Sequence, residues 1–228
     1  MRPGMPLVSP GAGRIPPVPL QQPQNLFRFG EQSIYSTQLF VGGSAIASTT
    51  NRMFSVPIGS TGQGFVNALT IAETNLKEGG RVPSGVAYDV YGVACQILQS
   101  NAAADGGTFS AAQDTQALIS NLINIQNNGV LSWDFTQTVV DICPISLAGA
   151  GGGAFGSVAQ NAAAANSGAM NNGNGGIWMY KKYPVALPGN STFSIVVRFG
   201  SRAAAIGANS VGVRVVLLGY YKNVIEIG

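Results

Sequence analysis

No histidine occurs anywhere in the 228 residues. The commonest general base and metal ligand is therefore missing, and a serine or cysteine nucleophile would lack its usual activator. Charge is scarce as well: Asp, Glu, Lys and Arg make up 9% of the chain, against about 25% in ordinary soluble domains. A freely soluble monomer rarely leaves so much surface uncharged, so much of the exterior is expected to face protein or lipid. There are only two cysteines, Cys95 and Cys143. Both sit in apolar, strand-like runs, which favours two separate core thiols over the alternative of a disulfide. Neither spacing nor neighbours suggest a metal site, and no Asp-x-Asp-x-Asp calcium loop appears. The N-terminus has no continuous apolar run, so no signal peptide is expected. The longest uncharged interval, residues 142–180, is built from Gly, Ala and Asn rather than Leu and Ile and would make a poor membrane span.

The acids that remain are Glu31, Glu73, Glu78, Asp89, Asp105, Asp114, Asp134, Asp141 and Glu226. A carboxylate pair for glycoside hydrolysis would have to come from Asp89, Asp134 and Asp141; solvent-facing or turn positions explain these charges more simply. Gly79-Gly80 with Lys77 suggests a phosphate cradle, but the spacing is not that of a nucleotide loop and no suitable helix follows. The 19 aromatic residues sit at strand spacing, as core residues do, rather than forming a base-stacking platform.

The organising stretch is 187–227. Phe193, Ile195, Val197 and Phe199 alternate with Thr192, Ser194, Val196 and Arg198; after a loop, Val211, Val213, Val215 and Leu217 alternate with Gly212, Arg214, Val216 and Leu218. Period-two alternation of β-branched and aromatic residues signals strands, and two apolar faces signal burial on both sides. Further strands are expected at 27–41, 52–58, 64–72, 86–98, 130–142 and 177–183. Residues 73–85 read as a polar, Gly-rich turn region. Ser110-Ala-Ala-Gln113 has the form of a capping box; Leu118, Leu122 and Ile125 follow at helical spacing, and Asn127-Asn128-Gly129 make a stop. A strand over 117–125 is the competing reading. Residues 147–176 hold nine glycines and read as a long surface loop, and Gly219-Tyr220 as a bend. Eight or nine strands with one short inserted helix make an all-β sandwich or barrel.

Residues 1–28 stand apart. Seven of the twelve prolines fall in the first 25 residues, and proline locks φ and removes donors, so the segment is expected to be an extended, polyproline-like arm ahead of a domain at 29–228. It carries Arg2, Arg14 and Arg28 and no acid, while the body balances nine bases with nine acids. Three arginines allow at most weak contact with a genome or an internal membrane. Ordering 25 residues costs roughly 25–50 kcal/mol, which at about 25 cal/mol per Å² asks for some ~1,000–2,000 Å² of apolar burial. Neighbouring copies are the expected source, with Arg2, Arg14, Pro16, Pro17, Pro19 and Arg28 as the inter-subunit arm residues.

The run Glu73-Thr-Asn-Leu, then Gly79-Gly80-Arg81-Val82-Pro83-Ser84-Gly85 leading into the strand at Val86, resembles the small single jelly-roll capsid proteins of icosahedral, tailless phage-like viruses. So does Leu187-Pro188-Gly189-Asn190-Ser191-Thr192-Phe193 leading to the apolar closing strands and the Gly219-Tyr220 bend. The resemblance spans about residues 30–228. It implies a single jelly-roll β-sandwich, self-assembly into an icosahedral shell, homo-oligomeric and other capsid-protein partners, a virion location, and neither cofactor nor small-molecule substrate. A receptor- or carbohydrate-binding β-sandwich of a virion spike or fibre is the alternative, with Trp133, Trp178, Tyr180 and Tyr183 lining an exposed groove. A carboxylate-based enzyme is the third reading.

Overall fold

The computed structural model describes residues 26–46, 51–99, 124–135, 138–149, 154–157, 168–171, 176–200 and 210–225. In chain order the strands are β1 (Leu26–Phe40), β2 (Asn51–Met53), β3 (Val86–Gln99), β4 (Gly129–Phe135), β5 (Thr138–Pro144), β6 (Ala154–Ser157), β7 (Gly168–Asn171), β8 (Trp178–Met179), β9 (Val185–Leu187), β10 (Ser194–Phe199) and β11 (Val211–Ile225). One antiparallel sheet runs β1-β11-β3-β8, with β9 also on β3; the other runs β2-β10-β4-β5. A separate hairpin joins β6 to β7.

β8 and β9 lie end to end along one edge of β3: Trp178 and Met179 face Val93 and Gly92, and Val185 to Leu187 face Val90 to Tyr88. They act as one interrupted strand. With that strand counted once and the β6–β7 hairpin set aside, the pairs nest about the β4–β5 hairpin. β4 pairs β5, β3 pairs β8/β9, β2 pairs β10, and β1 pairs β11. The two sheets enclose one core. Val211, Val213, Val215 and Leu217 of β11 and Val93, Cys95 and Ile97 of β3 meet Met53, Leu131, Ile195 and Val197 of the other sheet. The closing strands β10 and β11 thus lie in different sheets and face each other across that core, each flanked by strands on both sides.

The outer face of the first sheet is covered in turn. Thr37 Oγ1 donates to the Glu73 carbonyl at 2.8 Å, Tyr35 Oη donates to the Ile71 carbonyl at 2.5 Å, and Arg214 reaches Thr37 and the Ala72 carbonyl. Phe65 and Leu69 pack on Leu39 there as a small second core. This segment was expected to hold a strand at 64–72. It holds turns instead, because Gly62, Gln63 and Gly64 all have positive φ and fold the chain back on itself, a conformation only glycine adopts cheaply.

Other expectations are corrected. The strand at 52–58 stops at Met53, where Phe54 turns to a φ of 66°. The single strand at 130–142 is the hairpin β4–β5, with Phe135 opposite Thr138. The expected loop at 147–176 contains the β6–β7 hairpin. At Gly219 the chain does not bend away; it continues as β11 across a register shift between Leu218 and Gly219. The helix expected after Ser110 lies outside the described residues except for its last turn, helical at 124–128 and stopped at Gly129.

Candidate functional site

Of the arm residues, Arg2, Arg14, Pro16, Pro17 and Pro19 lie outside the described residues. Arg28 falls within β1, opposite Asn223, so the first strand begins inside the segment read as arm.

The three aspartates read as a possible carboxylate pair are each matched to a base. Lys222 lies 2.5 Å from Asp89, Arg52 lies 2.8 Å from Asp134, and Arg198 lies 2.8 Å from Asp141. Asp141 also accepts from Ser132 Oγ at 2.7 Å. Asp134 and Asp141 sit on neighbouring strands but are not cross-strand partners. The Gly79-Gly80 turn is used by its own chain: the Gly80 amide donates to the Phe54 carbonyl at 2.5 Å, and the Gly80 carbonyl accepts from Phe193 at 3.0 Å. Both cysteines are buried free thiols. Burial pushes Cys95 up to about 12, with Cys143 nearby adding to the effect, and burial pushes Cys143 up to about 11. Among the described residues no three His, Cys, Asp or Glu side chains gather as a metal site would require.

What the fold does assemble is an aromatic cleft of about 840 Å³. β4 contributes Trp133 and Phe135, stacked at 5.4 Å with 13° between their planes. β5 adds Val140 and Ile142, and the β8–β9 edge adds Ile177, Trp178, Met179, Tyr180, Tyr183 and Val185. The edge strand creates the opening. Tyr180 N–H still donates to the Tyr91 carbonyl at 2.8 Å, then the chain leaves β3 and rejoins it at Val185. Pro184 has no N–H to give the ladder, and an interruption of this kind also keeps the edge from pairing with strands of other molecules. Tyr183 is left 81% exposed.

Beneath it the cleft is fixed by one bond. Trp133, 3% exposed, donates its indole Nε1–H to Tyr180 Oη at 2.7 Å, tying the two sheets together. Burial raises the Tyr180 hydroxyl above its ordinary range. The cleft's charges are marginal: Lys181 and Lys182 are exposed, and Asp141 is held by Arg198. It therefore suits an uncharged, ring-rich or apolar ligand.

All four aromatics read from the sequence as groove candidates come together here. Phe135, Ile177, Met179 and Val140 were missed, because alternation places them in strands but does not say which strand ends adjoin. A second cavity, about 310 Å³, has Ile34, Leu76, Val82, Tyr88, Phe193 and Tyr221 around it, with Lys77, Glu78 and Arg81 among its lining. Val66 (68% exposed) and Ile71 (62%) stand out from the covering segment.

No family model, curated protein or solved structure matches this chain.

Proposed function

We propose that the chain is the structural subunit of an icosahedral virion shell: a single jelly-roll domain that self-assembles, with its N-terminal arm contacting neighbouring subunits. The observation that carries this reading is the nested pairing about the β4–β5 hairpin. A long antiparallel hairpin rolled up on itself gives that strand order, the order of the jelly roll found in viral capsid and lectin domains. Two features favour the shell over a free domain. Charge is 9% of the sequence, and large apolar side chains such as Val66, Ile71, Val139, Leu147 and Tyr183 are exposed. Repeated burial of such patches between identical copies is what closes a symmetric assembly, and each stable contact needs about 1,200–2,000 Å². The role is non-catalytic, with other copies and other coat proteins as partners.

Sedimentation velocity of the purified chain over a range of concentration and salt tests it. Large, discrete particles are the expected result. A 23.4 kDa species under every condition, with an arm that protease removes freely, counts against the reading.

One observation favours the second reading, a receptor- or carbohydrate-binding spike domain: the convergence of Trp133, Trp178, Tyr180 and Tyr183 on one cleft. Stacking of sugar rings on such faces would be lost in Trp178→Ala on a glycan array. An array that stays silent with the unaltered protein removes that reading.

A further inference from the structure

We propose that the aromatic cleft is the receptor for the proline-rich arm of a neighbouring copy, and that the segment seated in it is Ile15-Pro16-Pro17-Val18-Pro19-Leu20. The inference rests on the shell reading and names the surface to which the arm goes.

The chemistry of the two surfaces matches. A prolyl run is a preformed polyproline II helix without N–H donors, and such helices dock in grooves lined by aromatic side chains, their rings lying on ring faces. Phe135, Trp178 and Tyr183 are among the side chains lining the cleft. Prolyl carbonyls need donors from the receptor. The Trp178 indole N–H and the Tyr183 hydroxyl have no partner among the described residues. The six arm residues are uncharged, as is the cleft floor. Little rotamer or backbone entropy is lost when such a ligand is immobilised, so a modest apolar area suffices.

Geometry favours a neighbour over the chain's own arm. The arm joins the domain at Leu26, which pairs with Ile225 on β1, an edge strand of the first sheet. The cleft lies at the other edge of that sheet, beyond β11 and β3. Three strand spacings of about 4.8 Å, with an offset of six to eight residues along the strands, put it roughly 25–30 Å away in a straight line. The residues from Pro19 to Leu26 reach at most about 25 Å when fully extended, and a real path must also pass around the sheet. A second copy brought alongside removes that constraint.

The test uses the full chain with the photo-crosslinker p-benzoylphenylalanine at Val18, mixed with a ¹⁵N-labelled copy, irradiated and mapped by mass spectrometry. The expected products join the arm to peptides within 130–142 or 176–187, with mixed isotope composition. Tyr183→Ser and Trp178→Ser should each lower their yield about tenfold, as loss of an interface aromatic does, while the circular dichroism spectrum is unchanged. Mixed products to any other surface overturn the proposal. So do same-isotope products to the cleft with no mixed ones, which put the arm on its own body, and an unchanged yield in both variants, which leaves the cleft to another occupant such as residues 150–175. Particles that form while crosslinks go elsewhere remove this docking site and leave the shell reading standing. Cleft crosslinks in small oligomers that never close into particles do the reverse.

Discussion

Replacing Tyr180 by Phe removes one oxygen and isolates the physics of the cleft floor. The Trp133 indole N–H is buried and donates to Tyr180 Oη at 2.7 Å. Losing the bond costs about 1 kcal/mol, and leaving a buried donor unpaired adds about 1 kcal/mol or more. Tyr180→Phe should therefore destabilise by about 2 kcal/mol, a fall in midpoint of about 4–8 °C for a chain of this length. Trp133→Phe loses the same bond and leaves a void where the larger ring was, at about 2 kcal/mol or more. In that background the donor is gone, so adding Tyr180→Phe should cost at most a few tenths of a kcal/mol; the difference between the two backgrounds is the coupling. Urea unfolding followed by circular dichroism, at one protein concentration because assembly is linked to stability, measures all four proteins. A Tyr180→Phe cost below about 0.5 kcal/mol, or the same cost in both backgrounds, would refute the strut between the sheets.

Four other outcomes follow from the same geometry. Below pH 9 the Cys95 thiol is neutral in both folded and unfolded chains. Between 9 and about 12 only the unfolded chain gives up the proton, so stability falls as pH rises, by up to about 4 kcal/mol across that window. Native protein should also leave a thiol reagent unreacted at pH 8, and rapid titration of both cysteines would contradict their burial. Gly64→Ala, at a φ of 84° and against the Leu39 carbonyl, should cost about 1–3 kcal/mol, read as a lowered melting temperature; an unchanged melt would place that turn differently. Asp141→Asn breaks an exposed pair with Arg198 and should change stability by no more than about 1 kcal/mol; loss of a hydrolytic activity in that variant, found by substrate screening, would revive the enzyme reading.

The long strands were legible in the sequence because each buries one face completely. Val211, Val213, Val215 and Leu217 of β11 and Val93, Cys95 and Ile97 of β3 are almost wholly inaccessible, and period-two alternation records that directly. The errors fall where burial and alternation part company. Residues 64–72 are apolar enough for a strand, yet Phe65 and Leu69 are spent covering Leu39 from outside the sheet. Residues 130–142 looked continuous because the sequence between Phe135 and Thr138 holds no Gly, Asn or Asp, the residues that signal a hairpin. β6 and β7 are built from Gly, Ala, Ser, Asn, one aromatic and one methionine, with too little alternation to read. The cleft was half legible: its aromatics stand out as residue types, while their convergence depends on the break at Pro184 and on which edges of the two sheets adjoin.

The central claim is that this fold is completed only by copies of itself, and a cryo-electron microscopy reconstruction of the expressed full-length chain tests it most directly. The account predicts closed particles of icosahedral symmetry whose subunits show the β1-β11-β3 and β2-β10-β4-β5 sheets, with the proline-rich arm crossing to a neighbour. Micrographs with no assembled particle under any condition of concentration and salt, or particles in which each arm lies on its own subunit, would contradict it.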